Sequence, residues 1–407
     1  MTDQNIDYWR KLAEGGNAKA MYNLGLCYYK GIAVAKNYEQ AYDYFFKSAE
    51  NGYADAKHNL AICCQLGRGI PASQVAAKEW YIEAAEANVS ESMNNLGQMY
   101  QKGIGCDVDE KEAFKWFKKG ADLANGDAMY NLGLCYYHGN GTRQNLTEAL
   151  EWFQACAIAS GEAKPKAEYL LGAMHFHGKG MPELDYKESL FWYRRSADHG
   201  YPPAQLQIGK LLVGTPKTPT KSPQAMVEGV RYLQMAAKNG EAEAYNMLGY
   251  IYSTGKLGKP DNEKSFECYS KAVDLGWGPS VPFLAHAYQF GLGTEKDIDK
   301  AIPLHERAAR AGYSASMNAL GGLYHDGTEV DRDFETALSW FEKAGDHGEA
   351  GAQFQCAIHK MYGMGCEANL REAKEWLEKA ASQKHAESIR LLNEHFGGWP
   401  PPRPPDD

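Results

Sequence analysis

No stretch of this 407-residue chain is apolar for long enough to cross a bilayer. No block of consecutive lysine or arginine stands out either, and the formal net charge is −9. The first absence excludes a membrane-spanning helix. The second argues against nucleic acid or an anionic membrane surface as partner, since both need a basic footprint. Phosphate-cradling motifs are missing too: no G-x-G-x-x-G follows a strand, and Gly249 to Lys256 misses the G-x-x-x-x-G-K spacing. Cys63-Cys64 and His175-Phe-His177 lack a second ligand pair at metal-site spacing, so neither a metal nor another cofactor is expected. Ser253-Thr-Gly-Lys256 fits S-x-x-K but has no Ser-Asp-Asn or Lys-Thr-Gly companion. An enzyme built on Ser253, or on the His175/His177 pair, is therefore the remote alternative to a non-enzymatic protein. Met1 to Arg10 shows neither an apolar core nor a small-residue cleavage site. With nine cysteines, an odd number, the chain reads as reduced and cytoplasmic. The sequons at Asn88, Asn140 and Asn145 then carry no meaning.

What the sequence has is repetition. Met-Tyr-Asn-Leu-Gly-Leu-Cys-Tyr-Tyr stands at Met21–Tyr29 and again at Met129–Tyr137, three 36-residue periods later. A small residue at the motif's centre recurs at Gly25, Ala61, Gly97, Gly133, Gly172, Gly209, Gly249, Ala285, Gly321 and Ala357, with steps of 36 except for 39, 37 and 40 in the middle. Ten units tile the chain. Units of this size cannot bury a core alone, so the period predicts one stacked array over residues 1–394 followed by a proline-rich tail, 395–407. Function has to be sought on its surface.

Each unit holds two predicted helices. Helix A carries Ala-x-x-x-Leu-Gly-x-x-Tyr, as at Ala128–Tyr136, and ends at a glycine six after the centre, from Gly31 through Gly363. Helix B opens on a capping side chain: Asn37, Ser73, Asp109, Asn145, Asp185, Asp261, Asp297, Asp333 or Asn369. Trp80, Trp116, Trp152, Trp192, Trp340 and Trp376 share one helix B position, filled by Tyr44 and Tyr232 in two other units, and read as packing wedges between repeats. Cys27, Cys63 and Cys135 share a helix A position and are expected in the core.

On residues such as Ala128-Met-Tyr-Asn-Leu-Gly133, Tyr136, Gly139-Asn-Gly141, Glu148-Ala149 and Trp152, and on Ala337-x-x-Trp340-x-x-x-Ala344-x-x-x-Gly348, the units resemble the Sel-1-like repeat family of the tetratricopeptide superfamily. The resemblance covers roughly residues 7 to 394. It implies an all-α fold, an αα-superhelix with helix A lining the concave side, used by adaptors, scaffolds and regulators to hold other proteins. A narrower form is a regulator or neutralising, immunity-type partner that clamps one enzyme or toxin. The family shares no catalytic residues to carry over. Three departures stand out. Unit six has Thr215 where the glycine belongs and a 215–223 insertion, Cys156 lacks the partner that disulfide-stapled relatives would supply, and Pro282 and Pro303 fall in the helices of unit eight.

If the central residue and positions −1, +2 and +3 face the core, positions −3, +1 and +4 should be wet. They read Tyr22, Leu26, Tyr29 in unit one; Tyr130, Leu134, Tyr137 in unit four; and Tyr169, Ala173, Phe176 in unit five. Two readings stand: an interaction groove for a protein or peptide, or rings brought by curvature against neighbouring helices. Beside them, Asn23, Asn59, Asn95 and Asn131 occupy position −2. These amides either bond a partner's backbone or order the stack. The C-terminal half is more polar there, with Asn246, Tyr250, Ser253, His286, Gln289, Asn318 and His325, so the halves could hold different parts of a partner or different partners. The tail is a polyproline II ligand, a plain chain end, or a cap made with Phe396 and Trp399. Oligomeric state is open.

Overall fold

The computed structural model describes residues 3–180, 183–214 and 222–397. It contains 22 α-helices and no strand among the described residues. The chain divides into two compact units, Met1–Ile208 and Gly209–Asp407. The first holds α1 (Asp3–Glu14), α2 (Ala18–Lys30), α3 (Tyr38–Glu50), α4 (Ala54–Leu66), α5 (Gln74–Glu86), α6 (Ser90–Lys102), α7 (Glu110–Asp122), α8 (Gly126–His138), α9 (Leu146–Ile158), α10 (Lys164–His177) and α11 (Tyr186–Asp198). The division falls within α12 (Pro202–Val213). The second holds α13 (Pro223–Lys238), α14 (Ala242–Ser253), α15 (Asn262–Asp274), α16 (Val281–Phe290), α17 (Ile298–Arg310), α18 (Ser314–Asp326), α19 (Phe334–Asp346), α20 (Ala350–Tyr362), α21 (Leu370–Ser382) and α22 (Ala386–His395). From α1 to α11, and again from α13 to α22, each helix packs on its neighbour in sequence. The fold is a helical repeat solenoid.

Local chemistry sets the boundaries. All nine expected side chains cap a helix B; Asp109 Oδ1, for example, accepts from the amides of Lys111 and Glu112 at 3.0 Å. The tenth cap, absent from the periodic register, is Ser222, because α13 begins a turn early and runs to 16 residues. The glycines closing helix A adopt positive φ, as the left-handed cap requires. Gly141 needs its bare Cα for another reason: a Cβ there would strike the carbonyl of Glu110 at the start of the preceding helix B.

The packing contact that defines a repeat lies between the central glycine and helix B. A Cβ on Gly133 would stand 2.6 Å from the ring of Phe153, and Gly25, Gly97 and Gly321 meet Phe45, Phe117 and Phe341 at the same 2.6 Å. These rings are buried, each worth roughly 1.5–3 kcal/mol on transfer from water. They belong to the residue after the tryptophan, or after Tyr44 in the first repeat. The tryptophans are half-buried and join neighbouring repeats: Trp152 packs on the core formed by α7 and α8, and Trp376 blocks a Cβ on Gly345 of the repeat before at 2.9 Å. Cys27, Cys63 and Cys135 are buried as expected, and burial pushes the thiols of Cys63 and Cys135 up to about 12.

Both prolines of unit eight fall within helices, as the sequence places them, but at different points. Pro282 lies in the first turn of α16, behind a 3₁₀ turn over Gly278–Ser280, where its missing N–H costs nothing; the effect is a shorter helix of 10 residues. Pro303 is interior to α17. The 215–221 part of the insertion and the tail from 398, with Trp399, lie outside the described residues. Phe396 packs on the last core cluster beside Leu392 and Trp376.

Candidate functional site

In repeats one, four and five, the −3, +1 and +4 residues of helix A are half-buried, not fully wet. The cause is helix B of the same repeat, joined in places by the residue that opens the next helix A. Tyr22 lies 4.9 Å from the ring of Tyr53, which opens α4, and 5.9 Å from Phe45. Tyr169 stands 5.5 Å from both Tyr193 and Tyr201, Tyr130 lies 5.9 Å from Phe153, and Phe176 meets Tyr186 at 5.6 Å. Leu26 and Leu134 pack at the edge of the same cores. Burial pushes the Tyr130 phenol up to about 12 and raises that of Tyr22. At position +4, cations from the next repeat's loop cover the rings. Arg68 donates to the Tyr29 hydroxyl and lies over its ring at 5.0 Å, and Lys179 Nζ donates to the Tyr137 hydroxyl at 2.8 Å.

The amide row does structural bonding in three of its four places. Asn59 Nδ2 donates to the Tyr22 hydroxyl at 3.2 Å, Asn95 Nδ2 to the buried Tyr81 hydroxyl at 3.2 Å, and Asn131 Nδ2 to Asn94 Oδ1 at 2.8 Å. Each bond ties one repeat to the one before. Asn23, in the first repeat, has no such partner among the described residues.

These contacts change what truncation should do. Tyr130→Ala/Tyr137→Ala removes a half-buried ring against Phe153 as well as an exposed hydroxyl contact, so the pair should lower stability by about 2 kcal/mol while leaving the chain helical. Chemical denaturation followed by circular dichroism measures it; a loss below roughly 0.5 kcal/mol would mean that the rings pack on nothing.

In the second unit the same face opens. Tyr250 is 48% exposed, with Lys256 Nζ 4.6 Å from its ring centre. The S-x-x-K lysine is thus held over an aromatic ring, while Ser253 Oγ donates to the Tyr250 carbonyl at 3.1 Å. His175 is buried and His177 exposed, so these two do not form a pair. Asn246 Oδ1 accepts from Ser280 Oγ at 2.8 Å. His325 Nδ1 donates to Nε2 of the buried His359, whose own Nδ1 donates to the Met364 carbonyl, both at 2.9 Å.

Between α16 and α18 lies a cavity of about 450 Å³, lined by the −3, +1 and +4 positions of two successive helices A: His286, Gln289, Asn318 and Gly322. Ala315 and Ala319 form its small-residue floor, Phe290 and Ile298 its apolar wall, and Lys296, Asp326 and Glu329 its rim. A Cβ on Gly322 would meet nothing within 4 Å, so the space exists because glycine stands where repeats one and four carry Leu26 and Leu134. His305 backs the cavity; it is buried, with Nε2 3.1 Å from Gln289 Oε1 and Nδ1 3.2 Å from Ser316 Oγ. His286, Gln289 and Asn318 stand at the periodic −3, +1 and +4 positions, whereas Phe290 and Asp326 line the cavity from +5, off that pattern. Their signal was available, since Lys30, Lys102, His138 and His177 fill that place elsewhere and Asp326 reverses the charge. A larger opening of about 640 Å³ is lined by α13 residues such as Pro223, Val227 and Arg231.

A stack of two-helix units with a cavity between successive first helices defines a helical-repeat protein. Ten stretches, 18–53, 54–89, 90–125, 126–157, 165–201, 202–241, 242–277, 283–313, 314–349 and 350–385, match the Sel1 repeat model, and the chain belongs to the Sel1 repeat family. It is similar to a protective antigen present in uropathogenic Escherichia coli strains that displays an SLR fold, with a TM-score of 0.86 and 29% identity over 96% of this chain and 82% of that one. It is also similar to a Sel1 repeat protein from Oxalobacter formigenes, with a TM-score of 0.56 and 27% identity over 78% of this chain and 89% of that one.

Proposed function

We propose that the protein is a non-enzymatic scaffold or adaptor that holds a protein or peptide on the helix A face of its repeats. The observation that carries this reading is the cavity between α16 and α18, where Gly322 leaves open space between two successive helices A. A repeat array presents the same positions unit after unit, which suits an extended partner segment rather than a small substrate. The nine free cysteines, with those at the shared helix A position buried, support a cytoplasmic setting.

Gly322→Leu tests the reading. It copies the residue of repeats one and four into open space, and removing a mid-helix glycine favours the helix by roughly 0.5–1 kcal/mol. Melting should therefore hold or rise, while capture of the protein that co-purifies with wild type should fall sharply. Undiminished capture by the folded variant would place the binding surface elsewhere.

A further inference from the structure

The described chain ends beside an aromatic face that nothing covers. Phe396 packs on the last core cluster, which Met361 near the end of α20 also borders, and Gly397 is the final described residue. Next to Met361 stands Tyr362, at 68% the most exposed ring among the described residues. It has no ring contact or side-chain hydrogen bond among them. One turn earlier on α20 is the half-buried Ile358, and two helices A further back α16 presents Phe290, 57% exposed. Between them lies α18, with Ala315, Ala319 and Gly322 on the cavity floor and its own direct tie to α20 through the His325–His359 bond at 2.9 Å. The face therefore carries a ring on either side of a low floor.

The next ten residues of the sequence are Gly398-Trp-Pro-Pro-Pro-Arg-Pro-Pro-Asp-Asp407. Five of the six residues from 400 to 405 are proline, a run that favours polyproline II at about 3.1 Å per residue and three residues per turn. Trp399, Pro402 and Pro405 then share one edge, spread over about 19 Å. Packed helices lie about 8–10 Å apart, so Tyr362 and Phe290, two helices A from each other, are separated by roughly 16–20 Å. The edge and the face match in length.

We propose that residues 398–407 lie across this face, with the Trp399–Pro402–Pro405 edge running from Tyr362 to Phe290 and its far end in the cavity between α16 and α18. Proline-rich segments dock on aromatic rings because their extended form is already set and little entropy is lost. This segment is also delivered by its own chain: attachment at Gly397 holds it at a local concentration in roughly the millimolar range. A second copy of the chain is the poorer fit, since a stable dimer buries about 800 Å² on each partner and the face offers two exposed rings and the cavity. The assignment goes beyond the protein-binding reading and does not depend on it. Any partner on the same face has to displace the tail, which makes the tail a built-in competitor.

The test is photo-crosslinking in the full chain, with p-benzoylphenylalanine placed at Tyr362 or at Phe290 and the products mapped by mass spectrometry after digestion. Both probes should join residues 398–407 within one chain, the first near Trp399 and the second near Pro405. A probe at Leu66, 54% exposed at the matching position of repeat two, should not. Tethering by itself brings the tail close to Tyr362, so the deciding variant replaces residues 400–405 by alternating Gly and Ser. That chain keeps the tether and every described core contact but loses the stiff edge, and its mean span from 399 to 405 falls to about 12–15 Å. Its Phe290 product should be lost. A Phe290 product of undiminished yield in that variant, products that join two chains, or probes at Tyr362 and Phe290 that capture other segments overturn the proposal. Partner capture plays no part in this readout, so the two readings fail separately.

Discussion

Lowering the pH from 6.5 toward 4 should remove about 3 kcal/mol of stability through His305 alone. Burial holds this imidazole down at about 4 against an ordinary 6.5, and nearby His286 pushes the same way. The groups facing it are Ser316, Gln289 and His286, none of them an anion that would stabilise the protonated ring. The sign follows directly. Above about 6.5 the ring is neutral in both states and the native state keeps its full advantage. Below that, the unfolded chain takes a proton that the folded chain refuses, so stability falls until the pH reaches about 4. His58, His286 and His359, also lowered by burial, add in the same direction. The capping aspartates, with carboxyls held below 3.8 by their amide and side-chain bonds, lose theirs only at lower pH. The histidine window is thus separable from acid loss of the caps. His305→Leu, which copies Leu233 and Leu377 of repeats six and ten, should flatten the limb between pH 6.5 and 4.5 in urea titrations. An equally steep limb in that variant would assign the protons to other groups.

Gly133→Leu should cost on the order of 1–3 kcal/mol, the usual penalty of overpacking. Its Cβ alone would sit 2.6 Å from the Phe153 ring, and Phe153 is enclosed by Ala149, Cys156, Ala157 and Leu171 in the same core cluster, so the ring has no free volume to retreat into. Gly322→Leu is the internal control, since both are helix A glycines one residue apart in register and only one faces a partner ring. A melting temperature that drops for Gly133→Leu and not for Gly322→Leu would fix the rotational register of helix A. Equal behaviour of the two would show that the register is wrong.

The sequence by itself determined the number of units, the two helices of each, the side chains that begin and end them, and which small residues face inward. Those features depend on local rules that repeat: a cap needs an acceptor one turn before the first apolar residue, and a left-handed stop needs glycine. Ser222 escaped because one inserted turn shifts it off the period. Contacts between repeats were decided only in the tertiary structure. Tyr22, Tyr130 and Tyr169 point away from their own core yet reach rings of helix B or the next repeat, and Asn59, Asn95 and Asn131 spend their amides on the preceding unit. Periodicity reports which side of a helix a residue occupies, but not how close the next helix lies on that side. The same limit hid the cavity. Gly322 looks like a second small residue beside Gly321, but Gly321 is filled by Phe341 while Gly322 faces open space, a difference set by the spacing of α16 and α18.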